Sequence, residues 1–100
     1  YTVLLNSPDF VVAAGKGQLD VMKKMVSEGA VMVDSQDDGR TALMAAASQD
    51  KQDIVKWLIT MKAKLEIADK DGWTALMIAA FCGNLAVVKI LVASGAPPVV

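Results

Sequence analysis

The chain has 100 residues, 54% of them hydrophobic, and its ten Lys and Arg against eleven Asp and Glu leave a net charge of −1. This length limits it to one domain, residues 1–100. The basic residues are scattered, which argues against nucleic acid as a partner. The longest apolar stretch, Ala75 to Cys82, is too short to cross a bilayer, so we expect no contact with a membrane.

Cys82 is the one cysteine, and the chain contains no histidine. A lone thiol suits a reducing compartment, so we expect a cytoplasmic or nuclear protein. Residues 1–6 are apolar but lack a basic leader, so we expect no signal peptide. A nucleophile such as Ser48 or Cys82 would lack its usual histidine base. We therefore expect no enzymatic activity and no cofactor.

The first predicted helix covers residues 8–15 and begins at Ser7-Pro8-Asp9. Ser7 is expected to cap the helix, Pro8 occupies the tolerated first position, and Asp9 favours the positive helix end. Gly17 then supplies the left-handed residue of a turn into a second helix.

Similar helix pairs are predicted twice more along the chain. Thr41 and Thr74 each precede an apolar helical run, where a hydroxyl can accept a hydrogen bond from the first turn. Asp50 and Gly83 take the place of Gly17 at the turns. The expected ranges of the remaining helices are 19–28, 42–49, 52–61, 75–82 and 85–94.

The second helix of each pair carries an apolar stripe at i, i+4, i+5 spacing. The first helices carry alanine pairs, which are expected to let neighbouring helix pairs approach closely. The inward positions of the stripes are Val21, Met25 and Val26, then Ile54, Leu58 and Ile59, then Val87, Leu91 and Val92; the alanine pairs are Ala13-Ala14, Ala46-Ala47 and Ala79-Ala80.

The second helices are predicted to end at Gly29, Lys62 and Gly95, a position that favours a left-handed residue. Lys62 is the exception to glycine there. The loops 30–40 and 63–73 are predicted to be projecting β-hairpins, because Asp38-Gly39 and Asp71-Gly72 are strong turn signals.

These elements recur every 33 residues. Residues 38–63 and 71–96 are identical at 12 of 26 aligned positions, and residues 5–30 match 71–96 at 9 of 26. Such a period indicates a stacked repeat protein. The predicted repeats cover about 5–37, 38–70 and 71–100.

The repeated pattern Asp-Gly-x-Thr-Ala-Leu-Met-x-Ala-Ala, followed by Val-x-x-Leu and Gly-Ala, resembles the ankyrin repeat over residues 5–98. The resemblance implies an all-α solenoid of stacked helix-turn-helix units with projecting β-hairpin loops. Where the family has Thr-Pro-Leu-His, this chain has Thr-Ala-Leu-Met at 41–44 and 74–77. Met44 and Met77 are therefore expected to replace a hydrogen bond by packing.

The resemblance also implies a non-catalytic protein–protein interaction module that binds a folded partner or an extended segment. The alternative is a fragment of a larger multidomain enzyme, channel or signalling regulator, in which the repeats act as a scaffold or regulatory domain. Partner-binding residues are expected at the hairpin tips and in a concave groove along the first helices: Asp37, Asp38, Arg40, Ser48, Gln49, Lys70, Asp71, Trp73, Phe81 and Cys82.

Arg40, Trp73 and Phe81 are expected on one surface flanked by acidic tips, which suits a partner with an apolar side chain beside Lys or Arg. Trp73 has the alternative of packing on the preceding hairpin, whereas Trp57 lies in the apolar stripe and is expected in the core. Two weaker patterns carry no site: the acidic residues 34–38 predict a solvated loop rather than a metal site, and Gly15-Lys16-Gly17 predicts a turn rather than a phosphate loop.

The C-terminal face of the third repeat is expected to expose an apolar patch. Residues 85–96 carry one charged residue, Lys89, and Pro97-Pro98 lies where a further hairpin would begin. Terminal repeats need polar outer faces for solubility. This pattern predicts further repeats or self-association at that end.

Overall fold

The computed structural model describes residues 7–29 and 32–95, apart from the side chains of residues 7–9. It confirms all six predicted helices, with every boundary within one residue of the expected one. The helices are α1 (Ser7–Lys16), α2 (Leu19–Ser27), α3 (Ala42–Ser48), α4 (Gln52–Thr60), α5 (Ala75–Phe81) and α6 (Leu85–Ala93), and strands β1 (Gln36–Asp37) and β2 (Arg40–Thr41) lie between α2 and α3.

Three predictions concern residues outside the described part. They are the helix cap formed by the side chains of Ser7-Pro8-Asp9, the absence of a signal peptide in residues 1–6, and the start of a hairpin at Pro97-Pro98.

The first helices of the three pairs stack in a row, α1 against α3 and α3 against α5, while α4 packs against α6. Most of the predicted alanines lie in these contacts, and small side chains there allow close approach of the backbones. Ala80 departs from the prediction because it is exposed, and no described helix follows α6 to cover it. Among the described residues, no helix is long and apolar enough to span a bilayer.

The predicted threonine caps are confirmed. Thr41 Oγ1 accepts a hydrogen bond from the backbone N–H of Met44, and Thr74 Oγ1 accepts one from Met77, both at 3.3 Å. Each bond satisfies one of the amides that have no partner inside a helix. The two threonines thus fix where α3 and α5 begin, directly after each hairpin.

The predicted left-handed residues are also confirmed. The turns within the helix pairs contain Gly17 (φ +81°), Asp50 (φ +57°) and Gly83 (φ +74°). Lys62 has φ +64° at the end of α4, at the position that Gly29 occupies after α2. A side chain with Cβ is strained in this conformation.

The core is formed by inward residues of the second helices together with the first helices. Met25, Leu58 and Leu91 are fully buried, as predicted. Two predictions are wrong, because Val21 and Val92 are 46% and 57% exposed.

The ends of the described array explain these errors. Ile54 and Val87, the counterparts of Val21, are buried, and a helix pair precedes each of them. No helix pair precedes α2 or follows α6 within residues 7–29 and 32–95. Met44 is fully buried as the resemblance implied, whereas Met77, one repeat later, is half-buried.

Candidate protein-binding groove

The first hairpin has a two-residue loop. Gln36 pairs with Thr41 and Asp37 with Arg40, which leaves Asp38 and Gly39 in the loop. Both loop residues have positive φ, +54° and +87°. This conformation matches the twist of a tight antiparallel hairpin, and the Asp-Gly sequence favours it.

The second hairpin has a three-residue loop instead. Ala68 pairs with Thr74, and the Asp69 N–H donates to the carbonyl oxygen of Trp73 at 2.8 Å. Asp69 Oδ1 accepts hydrogen bonds from the backbone N–H groups of Asp71 and Trp73, each at 2.9 Å. The pairing therefore differs by one residue from the register that the 33-residue period would give.

Trp73 and Phe81 meet edge to face on the surface beside this hairpin. Their ring centroids lie 5.4 Å apart at an interplanar angle of 80°. Phe81 is 79% exposed and Trp73 is 37% exposed. The two rings form one wall of a depression of about 320 Å³, which is lined by Arg40, Asp69, Asp71, Trp73, Ile78 and Phe81.

A second depression, of about 220 Å³, lies toward the first helix pair. Arg40 lines both depressions, so they adjoin, and we call them together the groove. All three helix pairs and both of the hairpins described above contribute to it. The second depression is lined by Val11, Val12, Gly15, Asp37, Arg40, Ala45, Ser48 and Gln49.

The two hairpin tips contact each other next to the groove. Lys70 Nζ forms an ion pair with the carboxylate of Asp38. The hydrogen bond from Lys70 to Asp38, and then the charge of Asp38, raise the pKa of Lys70 above its ordinary value. The negative charge that was predicted at the tip of the first hairpin is therefore partly neutralised.

Most of the predicted partner-binding residues lie together in the groove. Arg40, Asp71, Trp73 and Phe81 share the larger depression. Asp37, Ser48 and Gln49 line the smaller one. Asp38 and Lys70 pair with each other outside the two linings, and Cys82 is an exposed residue at the end of α5.

The sequence interpretation missed Asp69 and the apolar residues that line the groove, which are Val11, Val12, Ala45 and Ile78. The signal for Asp69 was the pattern Asp-Lys-Asp-Gly, in which a short carboxylate can accept hydrogen bonds from the backbone of its own turn. Trp57, which was predicted in the core, is half-buried and packs against it, edge to face with the buried Phe10 at a centroid distance of 6.5 Å.

The sequence model of the ankyrin repeats, in three copies, matches residues 10–100. No curated protein sequence matches this chain. Among solved structures, the chain is similar to one in the structure of the Bd0816 predatory endopeptidase from Bdellovibrio bacteriovorus in complex with immunity protein Bd3460. The TM-score is 0.87 with 34% sequence identity, over 93% of this chain and 49% of that chain. This chain thus spans about half the length of that neighbour, and it belongs to the ankyrin-repeat family.

Proposed function

We propose that this chain is a non-catalytic protein–protein interaction module and that its partner binds across the groove. The observation that carries this proposal is the exposed pair Trp73 and Phe81, fixed edge to face at the mouth of the larger depression. Large aromatic side chains that line a surface depression are typical anchors for a partner.

Another depression, of about 440 Å³, is larger than either part of the groove but suits a protein partner less well. It lies beside the turns at Gly17 and Asp50, and its lining is mostly charged or polar, including Lys16, Lys51 and Asp53. It contains no aromatic residue. A protein partner gains more from burying apolar area than from displacing water around exposed charges, so the groove is the better candidate.

The charges of the groove suggest the chemistry of the partner. Its linings contain the carboxylates of Asp37, Asp69 and Asp71 against the one guanidinium of Arg40. A segment with an apolar side chain beside Lys or Arg would fill the aromatic depression and meet this negative excess.

The solved neighbour supports a folded enzyme as the partner. That neighbour is an immunity protein in complex with an endopeptidase, and it is 34% identical to this chain. We therefore include an endopeptidase among the proposed partners. The alternative role, a scaffold or regulatory domain within a larger protein, would not require an open aromatic groove.

A second contact surface is proposed on α6. Leu85 and Val92 are 68% and 57% exposed and lie two turns apart on that helix. Val88, between them, is half-buried. An apolar stripe of this kind supports self-association through the third repeat.

Selection of a random peptide library on the immobilised chain tests the groove. We expect selected peptides to combine an apolar residue with Lys or Arg. Trp73→Ala and Phe81→Ala should each weaken their binding at least about tenfold. Lys56→Ala and Lys89→Ala change exposed residues of α4 and α6 outside the groove, so they serve as controls and should leave affinity unchanged. Peptides that respond to the controls and ignore Trp73 and Phe81 would contradict the assignment.

A further inference from the structure

We infer that Asp69 is the positioning residue of the groove: its carboxylate holds Trp73 against Phe81 and places Lys70 beside Asp38. This inference rests on the proposed function, because it matters for binding only if the partner uses Trp73. It also has a structural consequence that can be measured without a partner.

The two hairpins of the chain provide an internal comparison. Gln36 in the first hairpin occupies the position that Asp69 holds in the second, one 33-residue period apart. Gln36 donates from Nε2 to the carbonyl oxygen of Gly39 at 2.9 Å, and its hairpin closes with two loop residues. Asp69 accepts from two backbone amides, and its hairpin closes with three.

The difference follows from side-chain length and charge. A short carboxylate can reach amides two and four residues further along its own chain, whereas the longer glutamine amide reaches past the next two residues to the carbonyl oxygen of the loop residue Gly39. Hydrogen bonds to an ionised acceptor are also stronger than those between neutral groups. The second hairpin therefore adopts the longer loop that orients both amides toward Asp69.

The position of Trp73 depends on this contact. Its backbone N–H is bound by the Asp69 carboxylate and its carbonyl oxygen by the Asp69 N–H, so both peptide groups of Trp73 are fixed by one residue. The Trp73 ring projects from this fixed backbone to its edge-to-face contact with Phe81. In the first hairpin, the counterpart of Trp73 is Arg40, which pairs instead with Asp37.

The position of Lys70 has the same origin. Its counterpart in the first hairpin, Asp37, is paired within strand β1. The one-residue change of register moves Lys70 out of such a pair and into the loop, where its ammonium reaches Asp38. One carboxylate thus sets both the aromatic wall of the groove and the contact between the hairpin tips.

Asp69→Gln and Asp69→Asn form a matched pair for the test. Gln reproduces the residue of the first hairpin, whereas Asn keeps a short side chain with an acceptor oxygen. The chain has two tryptophans, so ¹H–¹⁵N spectra give two indole N–H signals, and Trp57 reports on the integrity of the core. We expect Asp69→Gln to shift the Trp73 signal and leave that of Trp57 in place, and Asp69→Asn to retain both.

The same variants are then titrated with a fluorescein-labelled peptide selected on the wild-type chain. We expect about a tenfold weaker affinity for Asp69→Gln and near wild-type affinity for Asp69→Asn. A Trp73 signal that stays in place in Asp69→Gln, or that moves no more than that of Trp57, overturns the inference, and so does a shifted Trp73 with unchanged affinity. Peptides that bind Trp73→Ala and Phe81→Ala as tightly as the wild-type chain would instead refute the proposed function. The indole signals would still show whether Asp69 positions Trp73.

Discussion

Asn84 Nδ2 donates a hydrogen bond to the carbonyl oxygen of Ala47 at 2.6 Å. Asn84 precedes α6, and Ala47 lies in the last turn of α3, where carbonyl groups have no partner within the helix. The bond therefore connects the third helix pair to the second and satisfies a carbonyl at the end of a buried helix.

We predict that Asn84→Ala lowers the free energy of unfolding by about 1 kcal/mol, because the Ala47 carbonyl loses its partner. Gln18→Ala is the matched control: Gln18 occupies the corresponding position before α2, is exposed, and makes no capping bond with its side chain. Urea unfolding followed by circular dichroism measures both. Equal effects of the two substitutions would show that the contact between repeats contributes nothing.

Lys62→Gly should stabilise the fold. Lys62 has φ +64°, a conformation that costs a residue with Cβ about 1–2 kcal/mol, and glycine's greater freedom in the unfolded chain offsets part of the gain. Asp50→Gly is the control, because Asp tolerates this conformation better and Asp50 also accepts a hydrogen bond from Gln52. A urea midpoint for Lys62→Gly at or below that of the wild type would contradict the argument.

Gly39→Ala should destabilise the fold more than Gly72→Ala. Both glycines have similar positive φ, +87° and +85°, so the backbone strain of about 1–2 kcal/mol is shared. A Cβ on Gly39 would lie 2.9 Å from Lys70 Cγ and 3.2 Å from Lys70 N, whereas one on Gly72 would meet nothing within 4 Å. Overpacking should add about 1 kcal/mol to the Gly39 variant. Thermal unfolding of the two variants measures the difference. Equal losses of stability would mean that the hairpin tips can move apart without lowering the stability of the fold.

Val92→Lys should weaken self-association through α6. A charge on this exposed apolar stripe must be desolvated if another surface covers it. Val21→Lys is the control, because Val21 is similarly exposed but lies on α2. Sedimentation velocity over a range of concentrations measures the effect. A wild-type chain that stays monomeric at every concentration tested argues against the α6 surface.

The sequence predicted the helices well because several local signals agree at each boundary. Thr41 and Thr74 are caps in both sequence and structure, and the left-handed residues occur where the helices end. The predicted groove residues also lie close together for the most part, since the 33-residue period places equivalent positions side by side.

The remaining features depend on contacts that periodicity does not encode. The register of the second hairpin is decided by hydrogen bonds to Asp69, a choice between two turns that the Asp-Gly signal leaves open. The pairing of Lys70 with Asp38 joins residues 32 positions apart. The exposure of Val21 and Val92 depends on which neighbours surround α2 and α6 rather than on the stripe itself.

The close approach of Gly39 to Lys70 separates two properties of the proposed binding surface. One is the spacing of the two hairpins, and the other is the set of side chains that line the groove. The spacing of the hairpin tips is limited there by the approach of Gly39 to the side chain and the backbone nitrogen of Lys70, whereas Trp73 and Phe81 line the groove beside the tips. If the partner binds as proposed, we expect substitutions at these two aromatic positions to change which partner is recognised without altering the distance between repeats. The contact between the hairpin tips keeps the spacing of the hairpins constant. A library varied at positions 73 and 81 would therefore test new binding specificities on the same backbone.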